Sequence, residues 1–408
     1  RRAGQRTPQA HDGQRKMTSN SQETYRLGPV SFQKKALVVG IVCLAICLIE
    51  LAINPVQFFR SYLFAEVFWL GIALSCMGIL MLHHLVSGRW GFVIRRPLAA
   101  SAKTLGVLAL FFIPIILGMR YLYIWSRPAA VAADPVLQQK TWYLNTPGFI
   151  IRAIAFFVIW ILIAHFLTRW DKRLDESGDP GLITKMRNLS GPGIAIYGFT
   201  VTFAGFDWVM SMEPHFFSTI YGMMFVVTEA VGGMSFITLV AYYLTKKKPM
   251  SEVIEPSQFH DFGNLLLVFT LLWAYLSFAQ FLIIWSGNLQ NEIPWYASRI
   301  YHQWAYVALG LVIFHFAVPF LLLLQRYVTY RRQYLARVAG LLFVMSIVDL
   351  FWILVPSYEK VGPQFHWCDW LALIGLGGIF LSVFTWQLRK RPLVPLRDPN
   401  FVGVLQHE

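Results

Sequence analysis

Ten runs of mostly apolar residues alternate with short polar breaks along the chain, each run roughly the 18–25 residues that a helix needs to cross a bilayer. The runs fall at about 36–53, 62–86, 98–118, 148–168, 193–210, 218–244, 263–285, 301–324, 335–354 and 367–388. The breaks carry turn or charge signals: Asn54-Pro55, Arg95-Arg96-Pro97, the polar run 169–192, Glu213-Pro214, Lys246-Lys247-Lys248-Pro249, Ile293-Pro294 and Val361-Gly362-Pro363. The apolar runs are continuous rather than alternating, and they are too long for barrel strands. The pattern therefore predicts an all-α integral membrane protein of about ten transmembrane helices. It has an N-terminal arm at 1–35, a single ten-helix domain at 36–388 and a C-terminal tail at 389–408.

Basic residues give this pattern a direction. With the N-terminus in the cytoplasm, the arm, the tail and the breaks after the second, fourth, sixth and eighth spans all lie on that side. Together with Lys103 and Arg337, at the starts of their spans, they hold 28 of the 35 Lys and Arg. The other side keeps Arg60, Arg120, Arg127, Lys140, Arg152, Arg299 and Lys360. Such asymmetry is the positive-inside signature, and it places both termini in the cytoplasm. Trp69, Trp142, Trp208, Trp285, Trp295, Trp304, Trp352 and Trp367 fall near the outer boundary, where an interfacial belt is expected.

Composition agrees with a membrane chain: 56% of the 408 residues are hydrophobic and 14% charged. The net charge of +14, which in a soluble protein would point to nucleic acid, is explained by the basic breaks. Residues 1–16 are polar and basic without an apolar core, so they are no secretory signal. Met17 reads as a start, and residues 1–16 are assigned no fold role. The four cysteines lie in or beside apolar runs without a CxxC or CxxCH spacing, which gives no support to covalent haem, zinc or iron–sulfur ligation. No nucleotide-binding glycine loop is present, which argues against an ATP-driven pump. Gly375-Leu-Gly-Gly378 sits inside a span and suits close helix packing.

Ionisable residues at membrane depth are expensive and mark functional sites. Asp207-Trp-Val-Met-Ser-Met-Glu-Pro-His215 holds two carboxylates and a histidine at the outer end of the fifth span. Glu50, Glu66, Asp349 and Asp369 fall within a turn or two of the same side, and His302, Glu359 and His366 join them there. Glu229 is eleven residues into its span (229 − 218), about 16 Å deep at 1.5 Å per residue. His315 lies deeper toward the cytoplasm, and His83, His84 and His165 end their spans on that side. Carboxylates and imidazoles in series can accept and release protons. The expected proton path is Asp207, Glu213, His215, Glu229, His315 and His165. An alternative is a quinone pocket near the outer face, built from Trp208, His302 and Asp349 with Asp207 and His215. A third reading is a scaffold in which these groups only lock helices together. Haem ligation would need histidines at matching depths on two spans; His315 has no clear partner at its depth, and His83 or His84 with His165 is the one inner-side pairing the sequence offers. An autonomous transporter would need an internal repeat of broken spans, and Pro114 and Pro319 do not form corresponding pairs.

The stretch Gly205-Phe-Asp-Trp-Val-Met-Ser-Met-Glu-Pro-His-Phe-Phe-Ser-Thr-Ile-Tyr-Gly222, the Glu229 span and His260-Asp-Phe-Gly-Asn264 carry a family resemblance. Trp273-Ala-Tyr275, Trp285-Ser-Gly-Asn288 and Trp295-Tyr296 add to it. Over roughly residues 20–390 the chain resembles the NrfD/PsrC-type polytopic membrane subunits of quinone-linked oxidoreductases. Within them it looks most like the ActF-type subunits of bacterial alternative complex III, a quinol:electron-acceptor oxidoreductase. The resemblance implies two four-helix bundles, spans 2–5 and 6–9, flanked by spans 1 and 10, in the bacterial cytoplasmic membrane. It implies an ActC-like sister subunit, an iron–sulfur subunit and multihaem cytochrome c subunits as partners. Haem c and iron–sulfur clusters would reside in those partners, quinol or menaquinol would be the substrate of the complex, and this chain would bind no metal or cofactor. Its expected role is a transmembrane proton path coupled to quinol oxidation elsewhere in the complex.

Overall fold

The computed structural model describes residues 27–28, 31–248, 250–360, 362–394 and 398. Among the described residues, ten helices are long and apolar enough to cross a membrane: α1 Ser31–Ile53, α2 Pro55–Val86, α3 Arg89–Leu117, α4 Thr146–Ser177, α5 Gly181–Met212, α6 Ile220–Leu244, α7 Pro256–Gly287, α8 Trp304–Leu323, α9 Arg332–Ser357 and α10 Trp367–Arg389. The chain is an all-α, multi-pass membrane protein. Each expected span has its helix, and α1 starts at Ser31, inside the stretch assigned to the arm. The rest of the arm and most of the 389–408 tail lie outside the described residues.

Local sequence explains several helix starts. Asn54 precedes Pro55 and accepts a hydrogen bond from the Gln57 amide. Asn145 caps α4 by accepting from the Gly148 amide, with Pro147 in the first turn. Glu255 and Gln258 form a reciprocal capping box at α7. In each case a side chain satisfies an amide that has no partner inside the helix.

Two expectations about breaks are corrected. The polar run 169–192 is helical: α4 continues to Ser177, α5 begins at Gly181, and Gly178 turns between them at φ 70°. A helix of 32 residues is about 48 Å long, well beyond the roughly 30 Å hydrocarbon layer. Its polar end projects past the apolar layer as helix because its acids find partners there. Asp171 and Asp175 pair with Arg95 and Arg96 of α3, whose residues 89–97 are likewise helical rather than a break. The connection 119–147 contains the short helices Met119–Leu122, Pro128–Ala133 and Pro135–Gln139.

Helices α2, α3, α4 and α5 pack in a closed ring, and α6, α7, α8 and α9 form a second one. The rings join where α6 meets α2 and α5. Helices α1 and α10 pair with each other against α2. The glycines expected to permit close packing do so: a Cβ on Gly378 would stand 2.5 Å from the Ala36 carbonyl, and one on Gly40 would stand 2.8 Å from the Gly375 carbonyl. Helix α2 is the most enclosed of the ten because both bundles and the α1–α10 pair cover it.

The tryptophan belt is only partly what the sequence suggests. Trp142, Trp285 and Trp367 are exposed. Trp69, Trp208, Trp295 and Trp304 are buried and serve the interior. Trp69 donates to the Leu373 carbonyl of α10, and Trp304 donates to the Glu359 carbonyl.

Candidate functional site: a buried carboxylate in the second bundle

All four helices of the second bundle contribute to one polar cluster. Asp349 of α9 is 1% exposed. One of its carboxylate oxygens accepts from the Thr228 hydroxyl of α6 at 2.9 Å and from the Trp273 indole of α7 at 2.9 Å. The Trp273 ring lies 4.4 Å, centroid to centroid, from the His315 imidazole of α8. His315 is fully buried, with the Met345 carbonyl beside its ring. Among the described residues no Lys, Arg or His forms an ion pair with Asp349. Its two donors are neutral.

Pro319 explains the position of His315. A proline lacks the amide that would bond the carbonyl four residues back, and its ring crowds that carbonyl, here that of His315. Leu311–Ala317 relaxes into a π-helical segment, the form in which helices absorb such a defect.

Glu229 backs onto this cluster from the other side of α6. Its neighbour Thr228 faces Asp349, while the Glu229 side chain lies against Gly71 of α2. A Cβ at Gly71 would come within 2.8 Å of the Glu229 Cγ, so glycine is what lets the carboxyl fit. A cavity of about 20 Å³ adjoins it, lined among others by Ile72, Phe225 and Ser346. Glu229 Oε2 is buried without a hydrogen-bond partner among the described residues. The residue is nine positions into α6 (229 − 220) rather than eleven, and still deep in the helix.

The carboxylates expected near the outer face behave differently. Arg152 grips Asp207 through two hydrogen bonds, Nε at 2.6 Å and one terminal nitrogen at 3.0 Å. Glu213 accepts from Arg299 at 2.8 Å and from Ser357 at 2.8 Å, and Arg299 also donates to the Ile353 carbonyl. His215 pairs with Asp134 at 2.7 Å in the 119–147 connection. Partial desolvation works against the Asp134 charge, but the Val136 and Leu137 amides and the His215 ring hold its carboxyl below the usual range. The expected mouth of a path is thus two arginine-carboxylate ion pairs, one between α4 and α5 and one between a turn and the short helix Ile293–Ile300, and a histidine-carboxylate contact between two connections. Charge at a buried position persists when a partner neutralises it.

Three further expectations meet the geometry. His165 is exposed on the outward side of α4, beside Phe166, and does not adjoin His315. The quinone pocket is not assembled from its expected residues. Trp208 packs among Phe112, Phe157 and Trp160 in the first bundle, His302 is an exposed turn residue at φ 55°, and Asp349 belongs to the second bundle. Glu66 is not near a span end. It stands eleven residues after Pro55 (66 − 55), is 0% exposed, and neither carboxyl oxygen has a hydrogen-bond partner among the described residues. Because α2 begins at Pro55, seven residues before the apolar run at 62 (62 − 55), Glu66 lies about three turns into it. His83 and His84 are both buried, and His83 packs against Trp90 and Phe92 rather than sitting as an exposed cap.

A lateral cleft of about 620 Å³ opens between α7 and α8. Tyr275 and Phe278 stand at its exposed edge, Trp273 and Leu311 form its floor, and Tyr296 and Trp352 close one end. Trp273 therefore belongs to both the cleft and the Asp349 cluster. No group of three or more His, Cys, Asp or Glu side chains suited to a metal ion occurs among the described residues.

Fold and site together define a polytopic helical membrane protein of two four-helix bundles, one of which encloses a carboxylate whose donors among the described residues are neutral. No protein-family model matches the chain, and no curated protein sequence is significantly similar to it.

Proposed function

We propose that the chain is a proton-handling membrane subunit of a quinol:electron-acceptor oxidoreductase of the alternative complex III type. It would sit in the bacterial cytoplasmic membrane with its basic face and both termini toward the cytoplasm. Partner subunits oxidise quinol and carry electrons through iron–sulfur and haem centres, and this chain supplies a route for protons between the faces. The observation that supports the role is the Asp349 cluster: a carboxylate inside an apolar bundle, with Thr228 and Trp273 as its donors and no cation among the described residues paired to it. Such a group can hold a proton at rest and release it when a neighbour changes. Asp349 is five residues from the end of α9's α-helical part at Leu354 (354 − 349), and His315 is eight residues from the opposite end of α8 at Leu323 (323 − 315). The cluster thus reaches from near one face toward the middle of the bundle. Glu229 is the next proton-holding group, behind Thr228. Asp207, Glu213 and His215 serve as clamps at the rim.

The test uses the complex purified in mild detergent and returned to liposomes. Co-purifying haem and iron–sulfur absorbance reports assembly. Protons released per quinol oxidised should fall in Asp349→Asn and Glu229→Gln, while both variants keep their partner subunits. An unchanged proton ratio with normal turnover in both variants would sink the relay.

The lateral cleft favours a second reading, direct quinone binding. Its apolar walls suit an isoprenoid chain, and its floor touches the only residue, Trp273, that it shares with the carboxylate cluster. A photoactivatable quinone should then label α7 or α8, and labelling confined to a sister subunit excludes this reading.

A further inference from the structure

The face opposite the Glu213 clamp carries a second charged cluster that the proton path does not use. Asp171 of α4 is buried beneath three guanidinium groups: Arg95 and Arg96 of α3, and Arg391 just past α10 at 3.1 Å. Arg96 also pairs with Asp175, and Arg95 pairs with Asp398 at 2.6 Å. Arg391 donates in addition to the Thr168 carbonyl at 2.7 Å. Lys103 stands beside them and faces Arg391, Lys390 and Lys172 as well as Asp171, so among the described residues cations crowd this junction.

Three of these cations line an opening. A recess of about 20 Å³ is lined by Arg96, Lys103, Thr168 and Arg391, with Ala99, Ala100, Gln387 and Leu388 completing its wall. Lys103 forms no ion pair among the described residues. The Arg96 Nε is buried and has no hydrogen-bond acceptor among them. A recess of this size admits one or two oxygen atoms, as a phosphate would present.

Its level in the membrane completes the picture. The apolar run of α3 begins at Leu98, that of α4 ends near Thr168, and that of α10 ends at Leu388. The recess lies where all three meet the polar layer. Trp386 is exposed one turn away, with the Lys390 ammonium over its ring. Lysine at this depth can run its stem along apolar surface and present its charge at the boundary.

We infer that the α3–α4–α10 junction binds the phosphate of an anionic phospholipid, with Lys103, Arg96 and Arg391 as the recognising cations. The walls Ala99, Ala100 and Leu388 continue into the apolar surface that the acyl chains would cover. A basic pocket between helices on the basic face is the arrangement that anionic headgroups favour. Lys103 is the recognising residue whose loss leaves the Asp171 network intact.

The experiment measures lipid retention by native mass spectrometry of the full chain, with its associated subunits, from nanodiscs of phosphatidylglycerol or phosphatidylcholine. Lys103→Gln should retain about fivefold less phosphatidylglycerol, the effect of one cation at an anionic surface. Phosphatidylcholine should be unaffected, and Lys103→Arg should restore retention. Lys248→Gln, an exposed lysine paired with Glu252 on the same face, should change nothing. Equal retention by wild type and Lys103→Gln overturns the proposal. So does full displacement of phosphatidylglycerol by millimolar inorganic phosphate, which would assign the recess to the free anion.

Discussion

Asp207 and Asp349 invite comparison. Each lies near the same end of the last helix of a four-helix bundle, α5 in the first and α9 in the second, and each is buried. Asp207 is held by the Arg152 guanidinium through two hydrogen bonds, and the Arg152 side chain is itself partly exposed over the Tyr143 ring. Asp349 has, among the described residues, a hydroxyl and an indole as its donors. One residue type at one topological position thus meets two environments. A carboxylate with a fixed cation is a structural charge, whereas one with neutral donors can exchange a proton. The first bundle also holds Glu66, buried without a hydrogen-bond partner among the described residues, on the same helix that carries Gly71.

The largest expected effect tests the clamp. Arg152→Ala leaves Asp207 charged and unpaired in the interior and should cost about 3 kcal/mol of stability, measured as a lowered denaturation midpoint in detergent. Adding Asp207→Asn should recover much of that loss. If the double variant is no better than the single one, Arg152 acts through packing and the contrast with Asp349 weakens. Next, Gly71→Ala pushes a methyl group into Glu229 and should destabilise by about 2 kcal/mol. The same change in a Glu229→Ala background should cost clearly less, and equal costs would mean that Gly71 serves the α2 backbone alone. Asp349→Asn keeps an acceptor for Thr228 and Trp273, so its stability change should stay within about 1 kcal/mol while proton transfer is lost. A large stability loss there would place Asp349 among the structural charges. The smallest effect belongs to His215→Ala, which removes an exposed pair and should leave the apparent melting temperature unmoved.

The helices themselves were legible because continuous apolar runs of bilayer length leave the chain little choice. Close packing at Gly375-Leu-Gly-Gly378 was also visible, since small residues recur where backbones must approach, but its partner, α1, was not. What went astray did so at the ends. Polar residues 169–192 read as a break, yet they stay helical because Asp171 and Asp175 meet arginines from α3 that lie about 75 positions away in sequence. Rotation about each helix axis was hidden as well. It sends His165 outward, turns Trp208 into the first bundle, and divides Glu229 from Thr228 so that neighbours face different bundles.

The sequence by itself determined an all-helical membrane protein of ten spans, the asymmetry of its basic residues, and the rarity of charge at depth. Hydrophobic length and the cost of buried charge act locally, so a single chain records them. Only the tertiary structure decided which acids are neutralised: Arg152 reaches Asp207 and Arg299 reaches Glu213, while Asp349 receives Thr228 and Trp273. Those pairings depend on how helices rotate and dock, and a buried carboxylate takes its chemistry from its neighbours in space rather than from those in sequence.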